Sequence, residues 1–173
     1  MTQSVELLLD PVSETAVRDE WVALHQAGLP TELRAQSDGS HRPHLTLFAG
    51  AVITDPMDRE LSDALTGLDL RCRLGAVMLF GPHRDRYVLV HSVVPTAELL
   101  EVQRVVAGVC GAESDGHFSA GGWTPHVTVA RRLPREQVPD ALLVLASSAA
   151  VGHPVRIDSC RRWDGTAKRT WLL

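Results

Sequence analysis

The chain has 173 residues, 45% of them apolar, enough to bury a core in one domain or in two closely packed lobes. Its formal net charge of −4 argues against a general affinity for long nucleic acids, because neutralising many phosphates needs a basic surface, and it leaves small anionic ligands open. Cys72, Cys110 and Cys160 have no zinc spacing and read as reduced thiols of a cytoplasmic protein; residues 1–6 lack a signal-peptide pattern, and the longest apolar stretch, around 141–151, is too short to span a bilayer.

Residues 5–9 form a compact apolar run ended by Asp10-Pro11 and read as a strand. A helix follows, with Ser13 as its N-cap, Val17, Trp21 and Leu24 at helical spacing, and Gly28 and Pro30 as stop signals. Residues 31–42, with Ser37-Asp38-Gly39-Ser40, read as a loop leading into a strand from Pro43 to about Val52. Asp55-Pro56 looks like an N-cap with proline at the first helical position, opening a short helix with Met57, Leu61 and Leu65 on one stripe before Gly67.

Two strands, 70–80 and 86–93, are separated by a Gly81-Pro82 break and are expected to pair as a hairpin. Thr96 caps a helix with Leu99, Val102, Val106 and Val109 on one face, ending near Gly108 and Gly111. A glycine-rich loop, 115–122, precedes a strand from Pro125 to about Arg132. Residues 134–147 read as a helix whose start is blurred by Pro139. The last two strands, 155–163 and 167–172, flank the hairpin signal Asp164-Gly165. Strand, helix, strand, helix thus occurs in each half, and segregated hairpins and helices favour an α+β class over a doubly wound parallel sheet.

The strands at 43 and 125 open on one repeated pattern, Pro43-His44-Leu45-Thr46-Leu47 and Pro125-His126-Val127-Thr128-Val129. Side chains alternate along a strand, so each copy presents an imidazole and a hydroxyl on one face and two apolar anchors on the other. A lone H-x-[ST] is weak, with about one chance match expected among eight histidines, and His117-Phe118-Ser119 is read as that accident. Two structural histidines have no reason to share proline before and apolar-Thr-apolar after.

On these residues, with Phe48-Ala49-Gly50 after the first copy and Ala130-Arg131 after the second, the chain resembles the 2H phosphoesterase superfamily, in its 2′-5′ RNA ligase-like or cyclic phosphodiesterase branch. The resemblance covers nearly the whole chain. It implies a single bilobal domain over 1–173, with two antiparallel sheets and flanking helices related by a pseudo-twofold axis and a metal-independent cleft where both copies meet. Trp123 departs from the phenylalanine frequent in relatives before the second Pro-His, which bears on pocket shape.

The chemistry fits the residues. Opening a cyclic phosphodiester needs a base for water and an acid for the departing ribose oxygen, and histidine suits both near neutrality. His44 and His126 are the candidate pair, with Thr46 and Thr128 donating to the nonbridging oxygens, so that neither a metal ion nor another cofactor is expected. By family analogy His126 is the base and His44 the acid, labels that exchange when the reaction runs backwards.

Substrate contacts are expected from Arg131, which matches a family arginine, and from Tyr87, Trp123 and Arg42. His91 shares a strand face with Tyr87, Trp163 is a second stacking candidate, and Arg132, Arg161, Arg162, Lys168 and Arg169 with Arg42 form a candidate basic rim. The expected activity is hydrolysis of 2′,3′-cyclic phosphate RNA ends or small cyclic nucleotides by a monomer that needs no membrane. The alternatives are 2′-5′ RNA end ligation, or a noncatalytic module binding nucleotides or RNA ends.

Overall fold

A computed structural model describes residues 2–34, 40–113, 115–148 and 150–173. Ser37-Asp38-Gly39 of the expected loop lie outside the described residues. The elements are β1 (Gln3–Leu8), α1 (Pro11–Gln26), β2 (His44–Gly50), α2 (Asp55–Ala64), β3 (Leu70–His83), β4 (Arg86–Val93), α3 (Ala97–Val109), β5 (His126–Pro134), a 3-10 turn (Arg135–Gln137), α4 (Val138–Leu145), β6 (Pro154–Ile157), β7 (Ser159–Asp164) and β8 (Arg169–Leu172). The α+β class is as expected. Among the described residues, no helix is long and apolar enough to cross a membrane.

The caps differ from the sequence reading in an instructive way. Asp10, not Ser13, caps α1: its carboxylate accepts the Val12 and Ser13 amides, and Pro11 enters the first turn, where a missing N–H costs nothing. Val17, Trp21 and Leu24 make the buried face, and Gly28, at φ 71°, ends the helix in the left-handed region. Thr54 rather than Asp55 precedes α2, while Thr96 caps α3 through the Leu99 amide, as expected. Pro134 closes β5 instead of opening a helix, and Pro139 is accommodated in the first turn of α4.

Among the described residues, eight strands form one sheet in the order β6-β3-β4-β5-β2-β1-β7-β8. Instead of two separate sheets there are two half-sheets joined between β2 and β5 by one register pair, Leu45 with Val127. Reading outward from that seam gives β2-β1-β7-β8 on one side and β5-β4-β3-β6 on the other. The order is that of a pseudo-twofold repeat. β3 and β4 pair as the expected hairpin, with β3 running on through Gly81-Pro82 to His83.

The segment 155–163 is not one strand. It divides at Asp158: β6 pairs with β3 at one edge of the sheet, while β7 pairs with β1 and β8 in the opposite half, one strand in from the other edge. The helices cross over in the same spirit: α1 packs against β5, β6 and α4, whereas α3 packs against β2, β3 and α2. Each half's first helix therefore lies under the other half's motif strand.

Candidate active site

The seam brings both His-x-Thr pairs together. Leu45, Leu47, Val127 and Val129 are fully buried, and the alternation leaves His44, Thr46, His126 and Thr128 half-buried on the opposite face. Antiparallel pairing about Leu45 and Val127 sets His44 alongside Thr128 and Thr46 alongside His126.

The two histidines are held the same way. His44 Nδ1 lies 2.8 Å from the Arg42 carbonyl oxygen and His126 Nδ1 lies 2.8 Å from that of Thr124. A carbonyl can only accept, so each Nδ1 carries the proton and each neutral ring keeps Nε2 free as a base. Burial pushes the pKa of both imidazoles below the ordinary value. At His44 the Glu6 carboxylate opposes that shift, and at His126 the positive charges of Arg131 and His44 add to it.

Two tryptophans brace the threonines from beneath. Trp21 Nε1 donates to the Thr128 carbonyl oxygen at 3.2 Å, and Trp123 Nε1 donates to that of Thr46 at 3.0 Å. Trp123 is only 8% exposed, so it is a core residue whose indole N–H positions the first motif strand and not a stacking platform. Trp163, half-buried, instead borders the cavity beside His44.

That cavity, about 330 Å³, is bordered by Ser4, Glu6, Glu32, His44, Thr46, Arg131, Arg161 and Trp163 among others. A larger concavity of about 770 Å³ at the β3–β6 edge, bordered by Arg71, Arg73 and Arg156, contains no motif residue. Arg131 borders the cavity, its side chain 56% exposed and held by Glu32 at 3.4 Å. Burial works to raise the Glu32 pKa, but His41 and Arg131 outweigh it and hold the carboxyl below its usual range.

Other expected contacts lie elsewhere. The Arg42 guanidinium is paired with Glu14 of α1, and its contribution to the site is the carbonyl that takes His44 Nδ1. Tyr87 pairs with Leu133 and packs against the core. His91 is fully buried, with Nε2 2.8 Å from Glu20 of α1, on the face opposite the histidine pair because it registers with Val127. The basic rim also dissolves: Arg161 pairs with Glu6 and Arg162, 1% exposed, pairs with Asp58, leaving Arg132, Lys168 and Arg169 exposed.

Glu6 was not foreseen. Ser4 donates to its Oε1 at 2.6 Å, Arg161 Nε donates to its Oε2 at 2.8 Å, and His44 Nε2 stands 3.7 Å from Oε1. The available signal was the alternation of Ser4 and Glu6 within a run otherwise read as apolar. Among the described residues, no three His, Cys, Asp or Glu side chains are grouped to hold a metal ion, and the three cysteines are free and buried.

Comparison with known proteins identifies the family and the fold. A model of the 2′-5′ RNA ligase superfamily matches residues 13–164. Among solved structures, the chain is similar to TT0787 of Thermus thermophilus, with 16% identity, a TM-score of 0.67 and coverage of 100% of this chain and 95% of that one. It is similar also to E. coli LigT complexed with 3′-AMP (13% identity, TM-score 0.58, coverage 99% and 92%) and to Kluyveromyces marxianus Usb1 (11%, 0.56, 99% and 98%). No curated protein matches it by sequence. The family match extends through both His-x-Thr strands and most of the chain, and the protein belongs to the 2′-5′ RNA ligase superfamily, among the 2H phosphoesterases.

Proposed function

We propose that the protein hydrolyses 2′,3′-cyclic phosphate ends of RNA or small cyclic nucleotide phosphodiesters, using its two histidines as base and acid. His126 Nε2 removes a proton from water as the water oxygen bonds to phosphorus. The bond from phosphorus to one ribose oxygen breaks, and His44 Nε2 delivers a proton to that oxygen. Thr46 and Thr128 hydroxyls donate to the nonbridging oxygens as charge builds there, and Arg131 offsets the phosphate charge.

The observation that supports this most is the matched tethering of both Nδ1 atoms, which leaves two Nε2 atoms without a hydrogen-bond partner among the described residues, beside two threonines on one sheet face. A ring held in one tautomer loses little on entering the reaction. The half-exposed Trp163 beside His44 suits a nucleobase, and nucleotides are what LigT and Usb1 hold in two of the similar structures, 3′-AMP and uridine monophosphate. The test is incubation with 2′,3′-cyclic mononucleotides and with RNA bearing a 2′,3′-cyclic end. Conversion to a phosphomonoester is expected. Tight binding with no product would make the chain a noncatalytic nucleotide module, and joining of a 5′-hydroxyl end would favour 2′-5′ ligation.

A further inference from the structure

The pseudo-twofold repeat matches His44 to His126, but the residues flanking them do not match. On β1, Glu6 is the register partner of Thr46, and on β7 Arg161 is the partner of Glu6. The equivalent places in the other half are Val90 on β4, partner of Thr128, and Met78 on β3, partner of Val90. Diagonally across the next strand, His44 therefore meets a buried carboxylate–guanidinium pair where His126 has two apolar side chains, while directly opposite them stand Leu8 and Ser92. Phe80 adds to the second environment, its ring meeting His126 edge-on at 4.8 Å.

We infer that Glu6 is a positioning residue that makes the pair asymmetric, favouring the imidazolium at His44 while the apolar wall keeps His126 neutral. This rests on the proposed acid-base reading and assigns its roles: a base must begin neutral and an acid must begin protonated. At 3.7 Å from His44 Nε2 the carboxylate is too distant for a hydrogen bond and close enough for a strong charge interaction, so the Nε2 proton stays available to substrate. Ser4 and Arg161 saturate Glu6, fixing its distance from the imidazole. Burial works to raise the Glu6 pKa, but His44, Arg161 and Ser4 outweigh it, so Glu6 is charged where His44 titrates.

Among the described residues, the charges acting on His44 are Glu6 from β1, Arg161 from β7, and Arg131 and His126 from β5. Glu6 is the anion in this set; the Glu32 carboxylate borders the same cavity but is paired with Arg131 and His41. Removing Glu6 takes away a charge favouring the imidazolium, and removing Arg161 takes away one that opposes it.

The measurement is titration of the His44 and His126 ring resonances by NMR in the free protein, in the unchanged chain and in Glu6→Gln and Arg161→Gln. His44 should titrate at lower pH in Glu6→Gln and at higher pH in Arg161→Gln, with His126, which feels the His44 charge, moving less than His44 in both. Opposite shifts at one histidine are not what general loosening of β1 and β7 would give, and if one variant fails to fold the other still decides. On a 2′,3′-cyclic nucleotide, Glu6→Gln should lose roughly three- to tenfold in kcat/KM on the alkaline side of the optimum and little on the acid side. The inference is overturned if His44 is indifferent to Glu6→Gln, if Arg161→Gln lowers it, or if His126 is the ring that moves more. The ring titrations need no substrate, so they hold or fail separately from whether cyclic phosphodiesters are turned over.

Discussion

At the scale of single residues, the site is two imidazoles under different local pressure. Burial lowers the pKa of both below the ordinary histidine value of 6.5. A base with lowered pKa stays competent further into acid, so the acid limb of the rate profile moves down. An acid with lowered pKa loses its proton sooner as pH rises, so the alkaline limb moves down as well. The kcat/KM profile is therefore expected to be a bell with its maximum below pH 6.5, and the kcat profile should lie higher, because a bound anionic phosphodiester favours both imidazolium forms. A kcat/KM that goes on rising through about pH 8 would contradict this. The shared face of the two His-x-Thr pairs was legible in the sequence because a strand turns sequence alternation directly into a shared face. Glu6 was not, since what makes it significant is Arg161, which is 155 positions away and meets it only through the pairing of β1 with β7.

Elements position the site by crossing between halves. α1 follows β1 yet packs against β5, and its Trp21 holds the Thr128 carbonyl; Trp123 follows α3 and holds the Thr46 carbonyl. A single register pair joins β2 to β5; the Trp123 N–H adds a tie from the segment leading into β5 to β2, and the Trp21 N–H ties β5 to α1. Trp123→Phe keeps most of the buried apolar surface and leaves the Thr46 carbonyl without that donor. It should cost about 1–3 kcal/mol of stability and lower kcat more than it raises KM, with Trp21→Phe acting in parallel at Thr128. Denaturant unfolding alongside steady-state kinetics checks this, and unchanged kcat in both folded variants would contradict it. The existence of these helices was readable from their apolar spacing. Their partners were not, because periodicity says which face is buried and nothing about which half of the chain covers it.

Over the whole molecule, the outer strands of the first half are tied down from inside by Arg162. Its guanidinium donates to Asp58 of α2, to the Ser4 carbonyl of β1 and to Gln3 Oε1, and lies over the Trp171 ring of β8 at 5.2 Å. Asp58→Ala would leave that charge buried without its counter-ion, a change costing about 3–5 kcal/mol, and an unfolding free energy within about 0.5 kcal/mol of the unchanged protein would contradict the role. The sequence reading placed Arg162 on a solvent rim, since an arginine beside Arg161 and Trp163 carries no sign of burial. The same limit hid the division of 155–163 into strands in opposite halves of the sheet: a run of strand-forming residues does not say that the chain changes partners at Asp158.

In the proposed mechanism both motif strands serve one reaction. The most direct measurement is turnover of a 2′,3′-cyclic phosphate by the folded variants His44→Ala and His126→Ala and by the double variant. Each single change should lower kcat by roughly 10² to 10⁴, and the double variant should be impaired far less than the product of the two losses, because groups acting in one step are not independent. If either histidine can be removed with near-normal turnover, the paired acid-base mechanism is wrong.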